Sequence, residues 1–299
     1  MTHTLTYLIT EADSGIRIDD FLKRKGYSKN LLIRLRRTES GITLNGLPAF
    51  TIHILTAGDI LVTKLADKQG SEKILPTAIP LEIIFEDEHL MVINKAAGVP
   101  IHPSQGNYEG TLANGLAYYF KEQGIPFVYR VINRLDRDTT GLLIVAKHGL
   151  SACILSAMVR ERQIFRTYLA VVSGRIKPGD QGVITAPIAR TGDSTIERQV
   201  DFEHGEYART EYLSLRYDAV IDCTLVRLTL ETGRTHQIRV HMKYLGYPLL
   251  GDFLYHPDYR FIKRQSLHSR HLAFAHPITG EKLSFTAPVP DDFPLTDEL

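Results

Sequence analysis

The stretch that most constrains this chain is Asn133-Arg134-Leu135-Asp136-Arg137-Asp138-Thr139-Thr140-Gly141, which runs directly into Leu142-Leu143-Ile144-Val145-Ala146. Polar residues this dense, closed by a glycine and followed by a short apolar strand, read as a loop held on a rigid element. Loops of that kind tend to carry function. Asp136 lies between two arginines. An ionised carboxylate with a cation beside it is a candidate nucleophile or base. A surface loop with balanced Arg–Asp charge accounts for the same residues, so composition alone leaves both readings open.

The whole chain sets the frame for that loop. Its 299 residues suit one large domain and one small one. An apolar fraction of 43% and a charged fraction of 23% are those of an ordinary globular protein. No apolar run approaches the roughly 20 residues that span a membrane, and Met1-Thr2-His3-Thr4 does not open a secretory signal. Cys153 and Cys223 form no Cys-x-x-Cys pair, which argues against a zinc site or a disulfide framework and suits a reducing cytoplasm. The net charge of +1 is low for a nucleic-acid protein, but the distribution of charge matters more than its sum.

In chain order, residues 4–10 read as a strand and 17–37 as two short helices broken at Gly26, the second capped by Ser28. Eight basic residues against two acids make 17–37 the strongest positive cluster in the chain; Lys29, Arg34, Arg36 and Arg37 belong to it. Ile42 to Gly46 is a strand ending in an Asn-Gly hairpin turn, and Gly58-Asp59 precedes another strand. A polar connection ends near Pro76 and Pro80, dividing the chain into a module over 1–70, a linker over 71–79 and a main domain over 80–299. The main domain begins with strands at 81–86 and 89–95. Thr111 caps a helix whose apolar residues recur at helical spacing.

Residues 150–163 read as an amphipathic helix and Phe165 to Val172 as a buried strand. Residues 175–207, rich in turns and charge, read as a loop able to grip a substrate. Alternation over 209–216 and 221–231 predicts antiparallel strands. Thr232-Gly233-Arg234-Thr235-His236-Gln237-Ile238-Arg239-Val240-His241 then opens a helix on which His236 and Arg239, three apart, share a face. His236 and His241 lack the helical zinc spacing, so His236 reads as a satisfied buried histidine rather than a metal ligand. Two further strands, joined by a turn, follow from Leu267.

Four of these strings resemble one family in its own order. Arg134, Leu135, Asp136, Thr139, Gly141, Ala146 and Lys147 resemble the Arg-Leu-Asp motif of the RluA-type RNA pseudouridine synthases, with Asn133 where the family has His and Thr140 where it has Ser. The opening Asn94-Lys95 with His102-Pro103, the string Gly233 to His241 and the closing Leu267 to Gly280 are also family-like. Arg166 and Tyr168 resemble the family's Lys-x-Tyr strand, with arginine for lysine. Residues 15–65 resemble the small S-four-type RNA-binding module.

The resemblance implies an α+β fold: a largely antiparallel mixed sheet with flanking helices, preceded by a small αβ RNA-binding module. It implies isomerisation of uridine to pseudouridine in ribosomal RNA, or transfer RNA, in the cytoplasm. No cofactor, metal, membrane or obligate protein partner is implied, and a monomer suffices. Asp136 would act on the nucleotide, Arg239 would pair with it through its two-pronged fork, and Tyr168 would stack on the uracil, unless it is only a core aromatic. RNA contacts fall to Arg134, Lys95, His102, Arg234 and His236, and in the module to Lys29, Arg34, Arg36 and Arg37. Lys95 would approach phosphate, or sit in a surface salt bridge. Two other classes remain: a non-catalytic RNA-binding factor in ribosome assembly, which needs no Asp136–Tyr168–Arg239 trio, and a glycoside hydrolase, for which Asp138 would be the second acid.

Overall fold

The computed structural model describes residues 2–66, 71, 74–104, 108–192, 194 and 196–296. The N-terminal part comprises β1 (Thr2–Leu8), α1 (Ile18–Arg24), α2 (Lys29–Arg36), β2 (Ile42–Leu44), β3 (Leu47–Pro48) and β4 (Ile60–Ala66). Its strands form one sheet in the order β1-β4-β2-β3. The local signals act as expected. Ser28 Oγ accepts from the Leu31 N–H and starts α2. Asn45 and Gly46 both take positive φ, as the tight turn between β2 and β3 requires.

Ile18, Phe21 and Leu22 of α1 meet Leu31, Leu32 and Leu35 of α2 in a small core. That core is not closed by the first 66 residues alone. Leu150, Cys153, Ile154 and Ile278 from the main body pack into it. At Gly26, with φ of +89°, a Cβ would lie 2.6 Å from Ile154 Cγ1, so the break between α1 and α2 is also a point of close docking.

The main body continues with β5 (Glu82–Glu86), β6 (Leu90–Lys95), α3 (Leu112–Glu122), β7 (Thr140–Ala146), α4 (Gly149–Arg160), β8 (Phe165–Ser173), β9 (Gln181–Thr185), β10 (Ile188–Arg190) and β11 (Arg198–Val200). It closes with β12 (Arg209–Asp218), β13 (Cys223–Leu230), α5 (Gln237–Tyr244), β14 (Leu267–Ala275) and β15 (Lys282–Thr286). Nine strands make one sheet in the order β5-β6-β7-β14-β8-β13-β12-β9, with β15 on β14. Only the β7–β14 pairing is parallel among the described strands, so the sheet is mixed and largely antiparallel.

Every residue of β7 is buried. Leu143 and Val145 face one layer with α3 and α5, through Leu116, Phe120, Ile238 and Met242. Leu142, Ile144 and Ala146 face the other, with Leu155 and Met158 of α4. A strand covered on both faces has no reason to alternate, which is why its sequence is an unbroken apolar run.

Two expectations change in the fold. Residues 175–207 are not an open loop: β9 is an edge strand of the main sheet, and β10 and β11 form a ribbon whose Ile188 packs with Val240 of α5. Of the linker over 71–79, residues 72 and 73 lie outside the described residues, as do 67–70 of the preceding module. The rest is tied to the main body: the Ser71 N–H donates to the Phe127 carbonyl, and Asn114 donates to that of Leu75. No helix among the described residues is long and apolar enough to cross a membrane.

Candidate active site

The loop carrying Asp136 is pinned from below. Leu135 is buried in the core shared with α3 and α5. Asn133 is buried, accepting from the Ile144 N–H at 2.8 Å and donating to the Leu142 carbonyl at 3.4 Å. Thr140, the other departure from the family string, meets His268 Nδ1 at 2.9 Å. Both replacements are therefore held inside the structure. Gly141, at φ of +109°, lies so close to β14 that a Cβ would stand 2.3 Å from the Ser269 carbonyl oxygen. Only glycine lets the loop turn into β7 against that neighbour.

Lys95 ends β6 underneath the loop. Its Nζ donates to the carbonyls of Ala96, Val99 and Arg137 at 2.7, 3.0 and 2.8 Å. Burial pushes its pKa down to about 7, while Asp138 and Asp136 pull it back up. Three short contacts to acceptors need three hydrogens, and only the ammonium has them. The three carbonyls thus favour the ammonium, while burial works against it. Arg264 adds a bond to the Asp138 carbonyl at 3.2 Å.

Above the loop, α5 brings Arg239, which is 1% exposed. Its Nη1 donates to Asp136 Oδ2 at 2.8 Å. Its fork, however, grips Asp252: Nε to Oδ2 at 2.7 Å and Nη2 to Oδ1 at 2.8 Å. Asp252 is fully buried and also accepts from the Leu254 and Tyr255 N–H groups. The guanidinium is further covered by the rings of Phe253 and Tyr255, 5.5 and 5.0 Å away. Although burial disfavours its charge, the two carboxylates hold its pKa above the ordinary guanidinium value. Asp252 thus fixes the direction of the arginine, and one arm is left over for Asp136. No described residue bonds to Asp136 Oδ1, and the side chain is 27% exposed.

His236 precedes α5 in a left-handed conformation, φ 58°, rather than lying on the helix. Gln237 makes this turn possible. Its Oε1 accepts from Thr232 and from the Arg234 N–H, and its Nε2 donates to the Arg209 carbonyl and to Thr210. Tyr255 accepts from the Arg198 N–H and shares a hydrogen bond with His236 Nδ1 at 2.9 Å. The other ring nitrogen, Nε2, stands 3.8 Å from Asp136 Oδ2. Burial lowers the pKa of His236, partly countered by Asp136, so the ring is neutral at pH 7.

Tyr168, buried in β8, stands beside the same carboxylate. Burial raises its pKa, so the phenol stays protonated. These groups open onto a cleft whose walls carry Arg130, Arg134, Arg160, Arg162, Arg166 and Arg234, with Asp136 and Glu231 as its acids. The near-neutral chain therefore does concentrate positive charge, but around this cleft as well as in the small N-terminal part. Among the described residues no group of three metal-ligating side chains is arranged around an ion site.

The family model for RNA pseudouridylate synthases matches residues 89–244, which contain Asp136, Tyr168 and Arg239. The chain belongs to the RNA pseudouridine synthase family. It is 41% identical to the RNA pseudouridine synthase YjbO of Bacillus subtilis over 92% of this chain and 96% of YjbO. It is 38% identical to the ribosomal large subunit pseudouridine synthase D of Pseudomonas aeruginosa, over 84% of this chain and 81% of that protein. The solved structure of human RNA pseudouridylate synthase domain containing 1 superposes with a TM-score of 0.58 at 27% identity, covering 70% of this chain and 83% of that one.

Of the residues expected at a synthase site, the structure brings Asp136, Tyr168, Arg239, Arg134, His102, Arg234 and His236 around one cleft. His102 is exposed there, its ring edge-on to Tyr129, and burial and Arg134 lower its pKa. Arg234 is tied to Glu206 and to the Tyr207 carbonyl. Three expectations need correction. Lys95 neither faces phosphate nor makes a surface salt bridge; its donors are all spent inside the loop. The fork of Arg239 holds Asp252, not Asp136. His236 reaches Asp136 from a turn, not from a shared helix face. Lys29, Arg34, Arg36 and Arg37 are exposed on the small unit and do not line this cleft. Asp252 was missed because Pro248-Leu249-Leu250-Gly251-Asp252 reads as a turn. The available signal was a carboxylate set off by one glycine from an apolar pair.

Proposed function

We propose that this chain isomerises uridine to pseudouridine in ribosomal RNA, with Asp136 as the reacting carboxylate. The observation that carries this reading is the arrangement of Asp136: one oxygen held by Arg239, the other open to a cleft that also contains Tyr168. The cation keeps the carboxylate ionised in a partly dry site. In that form it can attack the anomeric carbon or the base, or take a ribose proton; each route loosens the C–N bond. The uracil then turns and rejoins through carbon-5. The target base must leave its stack to enter, and Tyr168 offers it a ring to lie on. Because burial holds the phenol protonated, Tyr168 serves as the platform for the base and not as the acceptor of the carbon-5 proton.

Relatives named for the large ribosomal subunit support ribosomal RNA over transfer RNA. The small N-terminal unit, read as an S-four-type module over 1–70, would add non-specific RNA affinity through Lys29, Arg34, Arg36 and Arg37. Action as a monomer without a protein partner belongs to the same reading, and two free cysteines fit the cytoplasm. A binding factor without turnover leaves the buried Asp252–Arg239–Asp136 chain unexplained. The test is incubation with unmodified ribosomal and transfer RNA, followed by mapping of pseudouridine. Modified uridines with the wild type and none with Asp136→Asn are expected. No product from folded wild type on either RNA would overturn the reading.

A further inference from the structure

Arg166 stands out among the arginines of the cleft. It is 8% exposed, so more than nine-tenths of it is buried. Its Nε has no hydrogen-bond partner, and no ion pair with it is formed among the described residues. The two acids of the cleft are already engaged: Glu231 with Arg162 and Arg209, and Asp136 with Arg239. A guanidinium taken out of water without a counter-charge is costly. Such a group persists in native structures where a water, an ion or a ligand supplies the missing partner.

The surroundings say which ligand. Arg166 and Tyr168 are two apart on β8, so they share the face that looks into the cleft. The two side chains leave the strand about 6.6 Å apart. The guanidinium lies beneath Gly233, where a Cβ would stand 3.2 Å from Nη1. The glycine of the Gly233-Arg234-Thr235 turn therefore keeps that end of the side chain open. Uracil and ribose are neutral; the phosphodiester is the anion that RNA offers, and a planar guanidinium matches it with two parallel bonds.

We propose that Arg166 is a phosphate-binding residue, which takes the backbone phosphodiester of the target nucleotide when its uracil lies on Tyr168. This rests on the RNA reading of the site. It makes β8 the element that measures one nucleotide: ring for the base, guanidinium for the phosphate.

The test uses the full chain with Asp136→Asn, so that binding is read without turnover, and an RNA carrying one neutral methylphosphonate at each linkage around the target in turn. Arg166→Gln should weaken RNA binding by about tenfold and lower the salt slope by about one unit. One methylphosphonate position should weaken the Arg166 protein and leave Arg166→Gln unaffected. Arg166→Lys should recover part of the affinity, since it keeps the charge and loses the fork. In otherwise native chains, the RNA concentration that gives half the maximal single-turnover rate should rise by about the factor by which affinity falls. Gly233→Ala, which removes no charge, should show the same loss in weaker form and guards against misfolding of Arg166→Gln.

Unchanged affinity and slope in Arg166→Gln, with a shifted pH–rate profile, would overturn the proposal and make Arg166 a tuner of Tyr168. Loss of affinity at every linkage alike would also overturn it. If instead the wild type forms no pseudouridine while the single-linkage effect is present, the synthase reading fails and the phosphate site stands.

Discussion

Arginine is used in two opposite ways in this molecule. In the small N-terminal unit, Arg34, Arg36 and Arg37 stand exposed on or beside α2, and Arg36 meets Asp19 at 3.4 Å across a half-exposed surface. In the cleft, Arg239 is buried between two carboxylates and two aromatic rings. A solvated ion pair contributes at most about 1 kcal/mol and is screened by salt. A buried one is costly to form and costly to break. Binding a phosphate chain asks only that positive charge be near. Fixing the direction of one carboxylate oxygen asks that the cation cannot turn, and Asp252 and the rings of Phe253 and Tyr255 supply that.

The sharpest way to break this contrast is at the carboxylate itself. Asp136→Asn keeps the shape and the hydrogen bond from Arg239 but removes the charge. Pseudouridine formation should fall by on the order of 10⁴-fold or more in single-turnover assays, while RNA affinity stays within a few-fold. Normal turnover would take Asp136 out of the chemistry.

Asp252 comes next, and it distinguishes fixing a charge from merely having one. Asp252→Ala leaves the fork of Arg239 empty in a dry pocket, a loss of about 3–5 kcal/mol in denaturant unfolding. The rate should fall with it, because Arg239 can then swing away from Asp136. Arg239→Lys should rescue poorly relative to Arg239→Ala, since a point charge cannot bridge both acids. Asp252→Ala with wild-type stability and rate would mean that Asp136 alone orients Arg239.

Lys95 tests the same idea beneath the loop. Its pKa falls from 10.5 to about 7 on folding. Between those values the unfolded chain binds more protons than the folded one, so stability rises with pH across that window. Below about pH 7 both states are protonated and the cost of burying the ammonium is fully present. Wild type should therefore gain stability relative to Lys95→Met as the pH is raised from about 7 to 10.5. A difference that stays flat would mean that the three carbonyls offset the burial cost completely.

The smallest effects belong to the exposed cluster. Lys29→Gln, Arg36→Gln or Arg37→Gln should change folding stability by less than about 0.5 kcal/mol each. Each should lower the salt slope of RNA binding by about one unit at most, and only if it meets a phosphate. Removing residues 1–70 entirely should weaken binding and its salt dependence, but it also uncovers Leu150, Cys153 and Ile154 of α4. A stability loss is expected alongside, visible as a lower melting temperature. An unaltered salt slope would separate the basic cluster from RNA.

Much of this was legible in the order of residues because it depends on neighbours. The cap of α2 at Ser28, the capping box at Thr111, the Asn45-Gly46 turn and the unbroken apolar strand β7 are local consequences of side chains within a few positions of one another. The family strings marked Asp136, Tyr168 and Arg239, and their order along the chain. What the chain could not state is who meets whom. Arg239 reaches Asp136 across 103 positions, and the choice of Asp252 for its fork follows from where the turn after α5 lies. Lys95 looked like a strand-end lysine; only the folding of the Asp136 loop over it turned its three hydrogens inward. Arg166 differs from any other strand arginine only because sheet order sets β8 beside β13 and the Gly233 turn above it. Hydrogen bonds and charge act over a few ångströms, so their partners are decided by tertiary packing, while propensity, caps and burial patterns act along the chain and can be read there.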